Sequence, residues 1–149
     1  LQTILNTIPV GVFWKDLESR FLGCNQVFAD HMGLSCPADI VGLTAEHLPS
    51  SWKAIMARET DHEVLTAGHS QLLAEHTIQS GDNQLHSFYQ SKVPLCDDQG
   101  RRIGLLGVIE DITPRRQAEA RQASVAVAER RQMLRLSGLS DAAILLLTS

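Results

Sequence analysis

The sequence predicts an α+β domain in which strands and helices are grouped along the chain rather than strictly alternating. Three observations lead there. Two short β-rich runs, Val10 to Lys15 and Phe21 to Cys24, lie near the start. Residues 25 to 68 carry helical spacing broken by Gly and Pro. From Leu72 onward the pattern changes to period two over three runs separated by turn chemistry.

Leu1, Ile4, Leu5 and Ile8 fall at helical spacing, and Pro9 favours an extended residue before it, so a short leading helix over 1–8 is expected. Asp16, Glu18 and Ser19 then join the first two runs as strand, turn, strand. Asn25 suits an N-cap, with Val27, Phe28 and Met32 on one helix face and Gly33 as the stop. Pro37, Gly42 and Pro49 interrupt residues 34–51 too often for a long element. Ser51 caps a longer helix whose Trp52, Met56, Thr60 and Val64 make an inward i, i+4 ladder ending at Gly68.

Leu72, Ala74, His76 and Ile78 alternate with Leu73, Glu75, Thr77 and Gln79, which reads as a strand. Ser80-Gly81-Asp82-Asn83 and Asp97-Asp98-Gln99-Gly100 join it to Leu85–Leu95 and then to Ile103–Thr113, giving an antiparallel meander. The last strand is apolar on both faces, with Ile103, Leu105 and Ile109 on one and Leu106, Val108 and Ile112 on the other. Its outer face is therefore expected to be covered by a helix or a partner. Thr113-Pro114 starts a helix, because Thr caps free donors and Pro fits the first helical position. That helix runs to about Leu136 without a clean a/d repeat.

With 149 residues the chain supports one domain and an appendage. No apolar run approaches the roughly 20 residues of a membrane span. A formal charge of −4 argues against general nucleic-acid affinity, since phosphate binding needs clustered Lys and Arg. Cys24, Cys36 and Cys96 are odd in number and lack CxxC spacing, so free thiols in a reducing, cytoplasmic compartment are expected. The opening residue, Leu1, has no charged-then-apolar leader after it and reads as a fragment boundary.

The segment GVIEDITPRRQAE at 107–119 is similar to the place where PAS domains end their last strand with Asp-Ile-Thr and enter a basic linker. Supporting matches are FWKDLESRFLGCNQVFADHMGL at 13–34, DIVGLT at 39–44, VLTAG at 64–68 and SKVPLCDDQGRRIGLLG at 91–107. The chain thus resembles a PAS domain from Leu1 to about Glu119, departing from the pattern at Ala45-Glu46-His47. The resemblance implies a five-stranded antiparallel sheet with helices over one face, an interior able to hold a ligand, dimer contacts through flanking helices, and no chemistry by the domain itself. It implies a sensory and dimerisation module of a multidomain signalling protein of the two-component type. Output would come from a histidine kinase, with a diguanylate cyclase or a purely structural, ligand-free dimerisation role as the alternatives. Asp111, Ile112 and Thr113 are the expected signal relay.

A pocket formed by inward helix and sheet faces would use Phe28, Met32, Trp52, Met56 and Tyr89, with His76 or Ser91 as polar handles; a filled core reads equally well. Haem is disfavoured, because His62 lies off the inward face of its helix. A LOV-type flavin is disfavoured because the helix before the long one lacks its cysteine, and Cys24 reads as a small strand residue. Non-covalent flavin or a small metabolite stays open as the ligand. His76 and His86 sit on neighbouring strands, yet a third ligand is missing and no metal site is expected. Cys96, beside Asp97 and Asp98, makes a poor nucleophile, and no catalytic residues are expected.

Shifted by 131 residues, Val10 to Trp14 lie over Asp141 to Leu145. This organises the chain as a PAS domain over 1–113, a linker helix over 114–137, and at 138–149 either the truncated start of a second PAS-like domain, with a strand over Ala142–Leu147, or a hydrophobic helical tail.

Overall fold

A computed structural model describes residues 9–79 and 82–148. The expected leading helix over 1–8 lies outside them. Five strands, β1 (Gly11–Asp16), β2 (Phe21–Cys24), β3 (Gln71–Gln79), β4 (Leu85–Cys96) and β5 (Arg102–Asp111), form one sheet in the order β2-β1-β5-β4-β3, every neighbouring pair antiparallel. The first and last strands are central neighbours, so the end of β5 lies beside the start of β1.

Between β2 and β3 come α1 (Gln26–His31), 3₁₀ turns at Pro37–Ile40 and Ala45–His47, then α2 (Ser50–Lys53), α3 (Arg58–His62) and a π-helical turn at Glu63–Ala67. Asn25 caps α1 as the sequence predicts. Its buried Oδ1 accepts from the Phe28 N–H at 3.1 Å and from the Val12 N–H at 2.9 Å, tying helix to sheet. Gly68 ends the π-helical turn at φ +72°, a conformation that a Cβ would disfavour.

The expected long helix from Ser51 to Ala67 is broken. Ala57 is extended, with ψ 152°, and separates α2 from α3. In a continuous helix the Met56 carbonyl would pair with the Thr60 N–H. Here it accepts instead from Lys15 Nζ at 2.7 Å, while the Thr60 N–H turns to the Ala57 carbonyl at 3.1 Å. The break shifts the inward ladder by one residue, so that Trp52, Met56 and Val64 are buried as expected but Asp61 takes the place of an exposed Thr60.

The core lies between the helices and one sheet face. Phe13, Phe21 and Phe28 meet with ring centroids 4.7 to 5.8 Å apart. Gly107 is required where Phe13 crosses it, because a Cβ there would lie 2.1 Å from the ring.

The chain divides into two compact units, one ending at Ile112 and one beginning at Thr113. The second holds α4 (Thr113–Leu136) and α5 (Asp141–Thr148). The strand expected over Ala142–Leu147 is therefore a helix. Ser140 caps it by accepting from the Ala143 N–H at 3.3 Å, and the Ala- and Leu-rich run, with Ile144 its lone β-branched residue before Thr148, favours helix. No described helix is long and apolar enough to cross a membrane.

Candidate functional site

Strand register decides which side chains face the helices. Phe88 pairs with Asp111 and His76, Gln90 with Ile109 and Ala74, Lys92 with Gly107, and Phe13 with Gly107. Directly paired residues share a face, so Asp111, Phe88 and His76 form one inward row. Tyr89 and Ser91 fall on the opposite face of β4, which corrects their expected place in the interior. Phe28, Met32 and Met56 are buried at 0, 3 and 0% exposure and pack into the continuous core. Of the expected pocket, Trp52 lines a cavity.

That cavity is a cleft of about 340 Å³ bounded by the end of α1, the start of α2 and the adjoining ends of β3, β4 and β5. Asp30, His31, Trp52, His86, Phe88 and Asp111 line it with Pro49, Ser51 and Ile78. The Trp52 and Phe88 rings meet edge-on at 5.0 Å, and His31 stands perpendicular to Phe88 at 5.3 Å. Burial holds the His31 imidazole below its ordinary 6.5, against the pull of Asp111 and Asp30 and with the push of His86. His76 is lowered for the same leading reason, opposed by Gln90 and assisted by Lys92. His86 pairs across from Ile78, one diagonal step from His76. Among the described residues no group of three or more His, Cys, Asp or Glu could hold a metal ion.

A second constellation, absent from the sequence reading, lies deeper in the core. Lys15, Asp61 and Lys92 are all fully buried. The Asp61 carboxylate accepts from Lys15 Nζ and Lys92 Nζ, each at 2.7 Å, and from Ser19 Oγ. Lys92 also donates to Thr60 Oγ1 at 2.9 Å, and the Lys15 ammonium stands 4.7 Å over the Phe21 ring. Two cations face one anion. Desolvation lowers the Lys15 pKa despite the attraction of Asp61, which fits a buried excess of positive charge. The alternation of β4 could have exposed Lys92, since Phe88, Gln90 and Lys92 share a period of two, but Asp61 depends on the break at Ala57 and carries no local signal.

Cys24 is buried, its thiol pushed up to about 12 chiefly by desolvation, and Cys36 and Cys96 are exposed free cysteines. His62 is exposed, as its place off the inward face predicts. Ile112 is buried, and Thr113 is the first residue of α4.

This strand order with helices over one face, its last strand delivering an aspartate to the cleft rim, is that of the PAS fold. The PAS fold family profile matches residues 5–117, and the chain belongs to that family. It is 32% identical over 116 residues to the aerobic respiration control sensor protein ArcB of Escherichia coli K12 and 28% identical over 144 residues to the methanogenesis regulatory histidine kinase FilI of Methanothrix harundinacea. These alignments cover 78 and 97% of this chain but 15% of either relative. Among solved structures, VqmA of Vibrio cholerae superposes with a TM-score of 0.67 at 28% identity, over 75% of this chain and 50% of that one.

Proposed function

We propose that the domain is the sensory and dimerisation module of a multidomain signalling protein, a sensor histidine kinase by preference. In this reading it relays the state of its interior to an output domain through the helix beginning at Thr113. The observation that carries it is the position of Asp111. Its side chain is on the inward face opposite Phe88 and lines the cleft, and two residues later the chain enters α4. A ligand that favours one arrangement of the cleft would bias the exit direction of that helix, and a paired helix would pass the shift onward. Support for a kinase output comes from FilI, named as a histidine kinase, and support for a small ligand from VqmA, which is described bound to DPO. Cys24 is a poor redox sensor in this reading, since burial raises its thiol pKa.

In the multidomain protein, Asp111→Asn and Thr113→Ala should each change basal output or signal response while the circular dichroism spectrum stays native. Unaltered output from both would sink the relay. The filled core around Phe28, Met32 and Met56 favours a second reading, a ligand-free domain that serves only to dimerise.

A further inference from the structure

We propose that a second cleft, walled by the β1–β2 turn, the 3₁₀ turn at Ala45–His47 and the helix break before α3, binds a small zwitterion, with a carboxylate and an ammonium on one short aliphatic body as in a free amino acid. The inference goes beyond the relay and holds whether or not Asp111 and Thr113 carry a signal.

The cleft has a volume of about 410 Å³. Each wall brings a carboxylate and two bring a guanidinium: Glu18 with Arg20, then Glu46, then Arg58 with Glu59. All five residues are exposed, and among the described residues none of the five is in an ion pair. Opposite charges that line one space without meeting are available to a ligand that carries both. A guanidinium receives a carboxylate through two parallel N–H donors, and a carboxylate accepts from an ammonium. Other ligand classes fit less well. A polyanion meets three carboxylates here and a simple cation meets two guanidiniums. The carboxylates do not converge on a metal either, since among the described residues no group of three or more His, Cys, Asp or Glu could hold one.

The walls are fixed from behind. Asp16 Oδ1 accepts from the backbone N–H groups of Glu18 and Arg20, each at 2.9 Å, and so holds the turn that carries them. His47 Nδ1 accepts from the Thr44 N–H at 3.0 Å across the turn that carries Glu46. Lys15 holds the Met56 carbonyl at the break, after which α3 begins with Arg58 and Glu59. Ala45 and Ala57 add aliphatic lining, and Ser19, 3% exposed, forms the floor. The Ser19 hydroxyl donates to Asp61, so an occupant stands one side chain away from the carboxylate that Lys15 and Lys92 share.

The test is an amide-resolved NMR titration of the full chain at pH 7 in dilute phosphate buffer with three probes of one shape. Leucine carries both charges, leucinamide the cation alone and N-acetylleucine the anion alone. Leucine should bind about fivefold more tightly than either, the size expected of one exposed ion pair, with shifts at the amides of Ser19, Glu46 and Ala57. Arg20→Gln with Arg58→Gln should erase the preference over leucinamide. Glu18→Gln, Glu46→Gln and Glu59→Gln together should erase the preference over N-acetylleucine, and both variants should keep the parent's circular dichroism spectrum. Equal affinity for the three probes, no shift with millimolar leucine, shifts centred on Trp52 and Phe88 instead, or survival of both preferences in the variants would overturn the assignment.

Discussion

At the scale of single residues, the Lys15, Asp61 and Lys92 cluster is where the interior is most exposed to failure. Each charge is fully buried and survives because its partners are in place. Removing the shared carboxylate strands two ammoniums together, and breaking a buried pair typically costs about 3–5 kcal/mol. Asp61→Ala should lose stability in that range by urea denaturation, while Lys15→Met with Asp61→Leu and Lys92→Met together should recover most of it. A loss under about 1 kcal/mol from Asp61→Ala would mean that water reaches the cluster. The histidines set a pH dependence of definite sign. Burial lowers His31 and His76 below 6.5, so as pH falls the unfolded chain takes up their protons first. Their contribution is complete above 6.5 and is lost as pH drops from there through the lowered folded-state values. For His31 the facing groups are Asp30, Asp111 and His86, and the two carboxylates soften the effect without reversing it. Thermal melts should show a shallower acid-side loss in a His31→Asn, His76→Asn variant than in the parent, and parallel curves would count against buried neutral imidazoles.

At the scale of elements, the five strands and α1 were legible because their signals are local: β-branched runs, an Asn cap and Asp- and Gly-rich turns. What escaped depended on contacts between distant residues. The spacing of Trp52, Met56, Thr60 and Val64 reads as one helix, and nothing near Ala57 announces that Lys15 will claim the Met56 carbonyl from 41 residues away. The helix stops at Lys53, Ala57 is extended, and Asp61 rather than Thr60 lies inside. The phase of β4 was ambiguous for a different reason. Tyr89, Ser91 and Val93 form as apolar a set as Phe88, Gln90 and Lys92, and only pairing with β5 decides which faces inward. The candidate cleft was legible at Trp52 and at Asp111, known from its motif. Asp30, His31 and His86 come from separate elements with no shared spacing, so their meeting with Asp111 is a product of topology. The tail shows the converse, where an apparent repeat across 131 residues gave a strand expectation that Ser140 capping and helix-favouring Ala and Leu override.

At the scale of the whole molecule, the question is why a 24-residue helix should follow a domain whose core is already closed. The described interior cluster is formed entirely by residues before Ile112, and α4 has no buried residue along its length. A helix polar nearly all round gains little from propensity alone and is typical of a bridge between domains. Yet Val125, Val127 and Met133 are exposed along it, and Leu136 is 79% exposed at its end. Pairing with the same helix of a second copy would cover such residues in an isologous contact. Light scattering after size exclusion should therefore find the full chain as a dimer, and a chain ending at Ile112 should retain its circular dichroism spectrum while its dimer Kd rises at least tenfold. Undiminished dimerisation of the shorter chain would move the contact to the outer sheet face around Leu106 and Val108. A full chain that stays monomeric at high micromolar concentration would remove self-pairing from the mechanism, leaving α4 as a bridge whose coupling must run through one copy.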